Sequence, residues 1–297
     1  MLPREILRQV RRLQLRARRA VEDVLGGEYH SVFKGAGIAF EEVRAYQPGD
    51  EVRSIDWNVT ARLGQPYVKR YIEERERTLM LVVDVSGSLD FGTQQRSKRE
   101  VAAELAAVLA FSAASNNDRV GLVQFSDHVE HFLPPRKGTR HILRLIRDVL
   151  FFEPTRRGTR LGDGLDHVNR LLRRRAIVFL LSDFLTDEDL RRPLQRTAQR
   201  HELIALRLAD PREEVLPDVG LVEFADAETG RRLLVDTSNA RLREDYHRAA
   251  QQRLLDLRQL LAVSGIELVE AGTDGRHLDA LIRFFRQRER RLRGGRS

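Results

Sequence analysis

The sequence predicts an α/β protein with a doubly wound, mostly parallel sheet, preceded by an N-terminal helix and a small β-rich subdomain. Continuous apolar runs such as LMLVVD (79–84) and AIVFLLSD (176–183) are typical of strands that are buried on both faces. These runs alternate with helical segments such as KREVAAELAAVLAFSAAS (98–115). Alternating strands and helices favour a parallel sheet that helices cover on both sides.

Residues 1–27 predict an amphipathic helix. Arginines lie on one face of this helix, and apolar residues recur on the other face at spacings of three and four. The apolar residues are Ile6, Val10, Leu13, Ala17, Val21 and Val24. Gly26 and Gly27 are expected to end it. We expect the apolar stripe to pack on the body of the protein, and docking to a partner is the alternative.

Residues 28–78 predict the β-rich subdomain. In IDWNVTAR (55–62) apolar and polar residues alternate, which is the period of a strand, and IAF (38–40) and YVKRYIEERE (67–76) predict further strands. The Pro-Gly-Asp of YQPGDEVR predicts a turn. We expect Trp57 to lie in the core. We also expect an ion-pair network that fixes the subdomain to the main sheet. Its members would be Asp50, Arg53, Asp56 and Arg62. The alternative is that these four residues form a second partner surface.

Residues 79–297 predict the main domain. Further strands are expected at VGLVQFS, ELIALRLAD and GIELVEAG, with HVEHFL as the hairpin partner of the first of them. Further helices are expected at RHILRLIRDVLF, LGDGLDHVNRLLRRR, DEDLRRPLQRTAQR, 240–263 and HLDALIRFFRQRERRLR. Two alternating runs around Glu-Thr-Gly predict a hairpin insertion near 220–237.

The composition excludes several classes of protein. Cysteine is absent, which rules out disulfides, thiolate metal sites and cysteine nucleophiles. No apolar stretch reaches the roughly 18 to 20 residues that a membrane-spanning helix needs, and the N-terminus lacks a signal-peptide core. We therefore expect a cytoplasmic protein.

The formal net charge of +8 permits binding to an acidic partner or to nucleic acid. Acidic residues are interleaved with the arginines through most of the chain, which favours a solvated surface rich in ion pairs. Aromatic residues, at 6%, form no stacking platform for bases. Nucleic-acid binding through the basic termini remains an alternative function.

Oxygen-bearing side chains cluster in three predicted loops. The first buried strand ends in Asp84, which Ser86 and Ser88 follow at spacings of two, and a later strand closes with Asp183. Thr159 lies in the turn before a predicted helix. Because ligands collect at the carboxyl ends of strands in a doubly wound sheet, we expect these side chains to converge.

Hydroxyl and carboxylate oxygens, with no nitrogen or sulfur, suit Mg²⁺, or Mn²⁺ as the alternative. An open coordination position on such an ion would attract a carboxylate from another molecule. The neighbouring Arg156, Arg157 and Arg160 would steer an acidic partner towards it. The alternative interpretation of Asp-x-Ser-x-Ser is a turn whose side chains cap the following helix.

Three segments resemble the loops of the metal-ion-dependent adhesion site in von Willebrand factor A domains: DVSGS, RGTRLGDGL and LLSDF. Asp84, Ser86 and Ser88 match its first loop, Thr159 the second and Asp183 the third. The segment from FEEVRAYQPGDEVR to YIEERE is similar to the signature of the bacterial domain-of-unknown-function 58 family. The resemblance implies a von Willebrand A-like domain. It also implies an adaptor role for a MoxR-type AAA+ ATPase, with which such proteins are typically encoded. Family members often begin with membrane helices, which this sequence does not show.

The motifs of common hydrolases are missing. A phosphatase of the haloacid dehalogenase type needs Asp-x-Asp, and Ser86 stands where its general acid would be. No lysine follows a glycine, so a Walker A loop cannot be written, and Gly-x-Ser-x-Gly is absent. We therefore predict a non-catalytic interaction module, with a Mg²⁺-dependent phosphohydrolase as the less favoured alternative.

Overall fold

The computed structural model describes residues 3–22, 29, 32–33, 38–73 and 76–294. The helices within these ranges are α1 (Pro3–Ala20), α2 (Trp57–Leu63), α3 (Lys98–Ser115), α4 (Thr139–Phe151), α5 (Leu161–Leu171), α6 (Arg191–Arg200), α7 (Ala240–Val263) and α8 (His277–Gly294). The strands are β1 (Ile38–Ala45), β2 (Tyr67–Glu73), β3 (Thr78–Asp84), β4 (Arg119–Phe125), β5 (Val129–Arg136), β6 (Ile177–Ser182), β7 (Glu202–Ala209), β8 (Leu221–Ala225), β9 (Arg232–Asp236) and β10 (Glu267–Gly272).

A six-stranded sheet in the order β10-β7-β6-β3-β4-β5 forms the centre of the molecule. All neighbouring strands are parallel except β5, which runs antiparallel to β4 as the predicted hairpin partner. Every residue of β6 is buried, as expected for a strand between two layers of helices. The predicted α/β class with a mostly parallel sheet is confirmed.

Helices cover both faces of this sheet. Successive side chains of β3 point to opposite faces, so Leu79, Leu81 and Val83 join one hydrophobic cluster and Met80 and Val82 the other. The first cluster includes residues of α1, α3, α4 and α8. The second includes residues of α5, α6 and α7. The carboxyl ends of β3 and β6 therefore open at one edge between two packed layers.

Helix α1 packs on the body of the protein, as its apolar stripe predicts. Val10, Leu13, Ala17 and Val21 are buried, and Arg16 pairs with Glu104 of α3 at 2.9 Å. The predicted continuation through Val24 and the two glycines lies outside the described residues. No helix in the described ranges combines the length and the apolarity that crossing a bilayer requires.

The region between α1 and the main sheet contains the antiparallel pair β1–β2, at the positions that IAF and YVKRYIEERE predict. The predicted strand at 55–62 is wrong, because Trp57–Leu63 forms helix α2. The Asp56 side chain caps this helix by accepting hydrogen bonds from the amides of Asn58 and Val59, at 3.0 and 3.3 Å. Gly64, with φ of 70°, ends it.

Two expectations for side chains in this region are also wrong. Trp57 is 67% exposed instead of lying in the core, since helical geometry turns it to solvent. Asp50 pairs with Arg44 at 2.7 Å, whereas Arg53 and Arg62 are exposed, so the predicted network does not form with those members. The domain boundaries at 1–27, 28–78 and 79–297, and the alternative of a second partner surface, stay predictions.

The predicted hairpin near 220–237 is present as the antiparallel pair β8–β9. It forms a separate two-stranded sheet between β7 and α7 in the chain. Its strands are largely exposed, and the turn between them reaches towards the carboxyl edge of the central sheet.

Candidate metal centre

Three loops meet at the carboxyl edge of the central sheet. We call them the first loop (84–88), the second loop (156–160) and the third loop (182–186). The amide of Gly87 donates to the carbonyl of Arg157 at 3.0 Å, which joins the first loop to the second. The Ser182 hydroxyl donates to Asp84 Oδ2 at 2.7 Å, which joins the third loop to the first. The three loops therefore adjoin at the edge where strand polarity collects ligand sites, and convergence of the five side chains on one ion stays a prediction.

Asp84 is fully buried at the end of β3. Its Oδ1 accepts a hydrogen bond from the Ser86 amide at 2.9 Å, and the hydroxyls of Ser86 and Ser88 lie 3.1 Å apart. Burial, together with repulsion from the nearby carboxylate of Asp183, raises the pKa of Asp84 to about 7. The first loop thus presents a buried carboxyl group with neutral hydrogen-bond partners and two hydroxyls beside it.

Asp183 is held by a buried lysine that the sequence did not point to. Lys98 Nζ lies 2.6 Å from Asp183 Oδ2 and also contacts the carboxylate of Glu213. The other oxygen of Asp183 accepts from the Leu185 amide at 3.1 Å. Burial alone would lower the pKa of Lys98, but the two carboxylates raise it, so the ammonium stays charged at neutral pH.

Thr159 faces a carboxylate from outside the three loops. Its hydroxyl donates to Glu228 Oε1 at 2.6 Å, and its carbonyl accepts from the Thr186 hydroxyl at 3.5 Å. Glu228 belongs to the tip of the β8–β9 hairpin, and sequence reasoning missed it. The five predicted ligands therefore lie on adjoining loops, but in this structure the Thr159 hydroxyl is hydrogen-bonded to the hairpin.

The three arginines predicted to rim the site are all exposed. Arg156 lies 3.3 Å from Asp127, and Arg160 lies 3.7 Å from Asp163. Exposed pairs of this kind contribute about 0–1 kcal/mol, so the side chains can exchange partners at little cost.

The donor set fits a hard divalent cation. The described part of the chain has no group of three or more His, Cys, Asp or Glu side chains that could hold a metal, so a metal here would depend on hydroxyl ligands. Two carboxylates, those of Asp183 and Glu213, share the buried ammonium of Lys98, and the buried carboxyl group of Asp84 is near enough to Asp183 for the two to repel each other. An excess of buried negative charge is costly unless a cation balances it. The chemistry of the residues therefore agrees with a site for Mg²⁺ or a similar ion.

Several solved structures are similar to this chain in part. The conserved hypothetical protein BatB from Bacteroides thetaiotaomicron is 17% identical with a TM-score of 0.47, over 72% of this chain and 99% of that one. The SpRpn10 VWA domain, a von Willebrand A domain, is 15% identical with a TM-score of 0.39, over 69% and 93%. A mussel byssus protein, proximal thread matrix protein 1, whose structure has a zinc-occupied MIDAS motif, is 17% identical with a TM-score of 0.34, over 45% and 38%.

Sequence comparison gives the family. The uncharacterized protein Rv1480 of Mycobacterium tuberculosis is 36% identical over 285 residues, which cover 95% of this chain and 89% of that protein. The model of the family described as protein of unknown function DUF58 matches residues 42–254, from within β1 to within α7. The chain therefore belongs to the DUF58 family.

Proposed function

We propose that this protein is a non-catalytic interaction module that binds Mg²⁺ and, through the ion, an acidic side chain of a partner. The proposed ligands are the five side chains that the sequence singles out, Asp84, Ser86, Ser88, Thr159 and Asp183. The observation that carries the proposal is the electrostatics of Asp84, a fully buried carboxyl group that faces a second carboxylate and is hydrogen-bonded by an amide and a hydroxyl.

A bound Mg²⁺ would supply positive charge and a coordination position for an incoming carboxylate. The chain's own residues would hold it in a fixed place, because the carboxyl of Asp84 and the carboxyl of Asp183 are each restrained by two hydrogen bonds. The exposed arginines of the second loop would attract an acidic partner at long range, an effect that salt weakens.

The residue two positions after Asp84 supports a non-catalytic role. Position 86 carries a buried serine hydroxyl that contacts Ser88, where a hydrolase of the Asp-x-Asp type has its acid. For the partner we propose a MoxR-type AAA+ ATPase. That part of the proposal rests on the family resemblance, and its test is direct binding.

The experiment uses the purified 297-residue chain and a purified MoxR-type ATPase from the same organism. Calorimetry measures Mg²⁺ binding, and surface plasmon resonance measures ATPase binding with Mg²⁺ or with EDTA. Ser88→Ala should weaken both by at least about tenfold, since even outer-shell changes at metal sites cost this much. Ser115→Ala is the control, because that exposed serine hydroxyl bonds only within α3, to the Phe111 carbonyl.

Wild-type protein that gives no Mg²⁺ binding heat would overturn the metal site. ATPase binding that EDTA leaves unchanged would overturn the metal-bridged mechanism even if the two proteins associate.

A further inference from the structure

The tip of the β8–β9 hairpin lies directly on the proposed metal site. Besides the hydrogen bond from Thr159 to Glu228, the tip approaches the first loop so closely that a Cβ atom on Gly87 would overlap the carbonyl oxygen of Ala227. A Cβ on Gly158 would lie 3.9 Å from Glu228 Oε2. The hairpin therefore covers the edge where the first two loops meet.

The rest of the hairpin is loosely held. Leu221, Leu233 and Leu234 are 68, 66 and 65% exposed. At the base, the Thr237 amide donates to the Gly220 carbonyl at 2.8 Å. A segment fixed at its base, with few buried apolar contacts along its length, can open at low free-energy cost.

The tip itself is rigid. Asp226 Oδ1 accepts hydrogen bonds from the amides of Glu228 and Thr229, at 2.9 and 2.7 Å, and Gly230 takes the left-handed conformation that closes the turn, with φ of 70°. The Glu228 carboxylate is thereby presented to Thr159 on a preorganised turn instead of a flexible chain.

These contacts place on the site the same chemical group that the proposed partner would bring. We propose that Glu228 is a built-in carboxylate ligand: the hairpin tip occupies the place of the partner's acidic side chain and must leave before the partner binds. The inference rests on the proposed function, since it concerns regulation of that same site. An intramolecular ligand competes at high effective concentration. The partner's apparent affinity therefore equals its affinity for the open form multiplied by the fraction of molecules that are open.

The test compares wild type with Glu228→Ala and with the matched control Glu223→Ala. Glu223 is an exposed carboxylate on β8 of the same hairpin, and its partner at 3.4 Å is Arg232, away from the site. Hydrogen exchange is measured on the full chain in Mg²⁺ at the amides of Gly158 and Thr159, the two second-loop residues that Glu228 approaches. Loss of a hydrogen bond to a charged group should open the hairpin and speed this exchange by about tenfold in Glu228→Ala, with no change in the control.

In the same buffers, binding of the purified MoxR-type ATPase should tighten by up to about tenfold in Glu228→Ala and stay sensitive to EDTA. If Glu228→Ala matches wild type in exchange and in EDTA-sensitive binding, the proposal that Glu228 is a built-in ligand is overturned and the proposed function stays intact. Weaker ATPase binding by Glu228→Ala would also overturn the built-in ligand. Binding indifferent to EDTA in every variant would overturn the proposed function, and this inference with it. The exchange measurement needs no partner, so the inference is tested even if another protein is the true partner.

Discussion

Replacing Lys98 by methionine should destabilise the protein by about 3–5 kcal/mol. The side chains of Lys98 and Asp183 are 0% and 1% exposed and their charged atoms lie 2.6 Å apart. Glu213, the other carboxylate on this ammonium, is 17% exposed. Methionine keeps most of the volume of lysine but removes the charge, so two buried carboxylates would then repel each other where an ammonium now stands between them.

Two quantities bound the size of this effect. At 2.6 Å and an effective dielectric constant of about 20, the attraction between Lys98 and Asp183 is about 6 kcal/mol before the cost of desolvation. The variant can escape the repulsion by protonating one carboxylate. At pH 7 protonation of a carboxyl group at its unperturbed pKa costs about 4 kcal/mol, and burial already raises the pKa of Glu213, so the loss of stability cannot greatly exceed this value.

The assay is urea denaturation at pH 7 in EDTA, followed by far-ultraviolet circular dichroism. Lys137→Met is the control, because Lys137 pairs with Glu76 where the side chains are 34% and 44% exposed. Its loss should be no more than about 1 kcal/mol. If Lys98→Met loses no more than Lys137→Met, the reasoning that Lys98 neutralises a buried cluster is refuted.

Two further predictions concern Glu104 and Trp57. Burial alone would raise the pKa of Glu104, but hydrogen bonds from His277, Arg96 and Arg16 lower it to about 2. The stabilisation that Glu104 supplies is therefore present at neutral pH and lost as the pH falls from about 5 to 2. Glu104→Gln should lose about 3 kcal/mol of unfolding free energy at pH 7 and show a flatter dependence of stability on pH in urea titrations. Parallel stability curves for the variant and wild type would contradict this prediction. Trp57, the sole tryptophan, is 67% exposed, so its emission should be that of a solvated indole and acrylamide should quench it as readily as in the unfolded chain. Blue-shifted, protected emission would place it in a core after all.

The central sheet was predictable because burial on both faces leaves a strong pattern in the sequence. The runs that became β3 and β6 are continuous apolar segments, and each ends at the aspartate or serine that leaves the sheet. Helix α3 begins and ends where its sequence predicts, with Ser97 and Glu100 forming a capping box. Local composition and tertiary burial agree in these elements.

Helix α2 was missed because seven residues are too few to separate the two periods. Alternation in IDWNVTAR fits a strand, but on the helix Trp57 faces solvent instead of a core. The signals that decide the structure are at its ends, the capping side chain of Asp56 and the left-handed Gly64. Weighing these two residues above the alternation would have given the observed helix.

The loops of the candidate site follow from strand polarity, but its charge balance does not. Lys98 is 85 residues from Asp183 in sequence, and Glu228 is 69 residues from Thr159. A lysine in the first turn of a helix and a glutamate in a hairpin turn are both typical of exposed surface. Only the packing of α3 and of the β8–β9 hairpin against the sheet edge brings them to the site.

The hydrogen bonds of the site suggest why hydroxyls matter in it. Each oxygen of Asp84 and of Asp183 already accepts a hydrogen bond, whereas the hydroxyls of Ser86 and Ser88 contact each other, and each hydroxyl oxygen has two lone pairs. Hydroxyl ligands carry no charge, so a divalent ion held mainly by them would keep more of its positive charge for a carboxylate from elsewhere. The same physical property would account for the attraction of an acidic partner and for the presence of Glu228 at the site, and so the two proposals share one electrostatic cause.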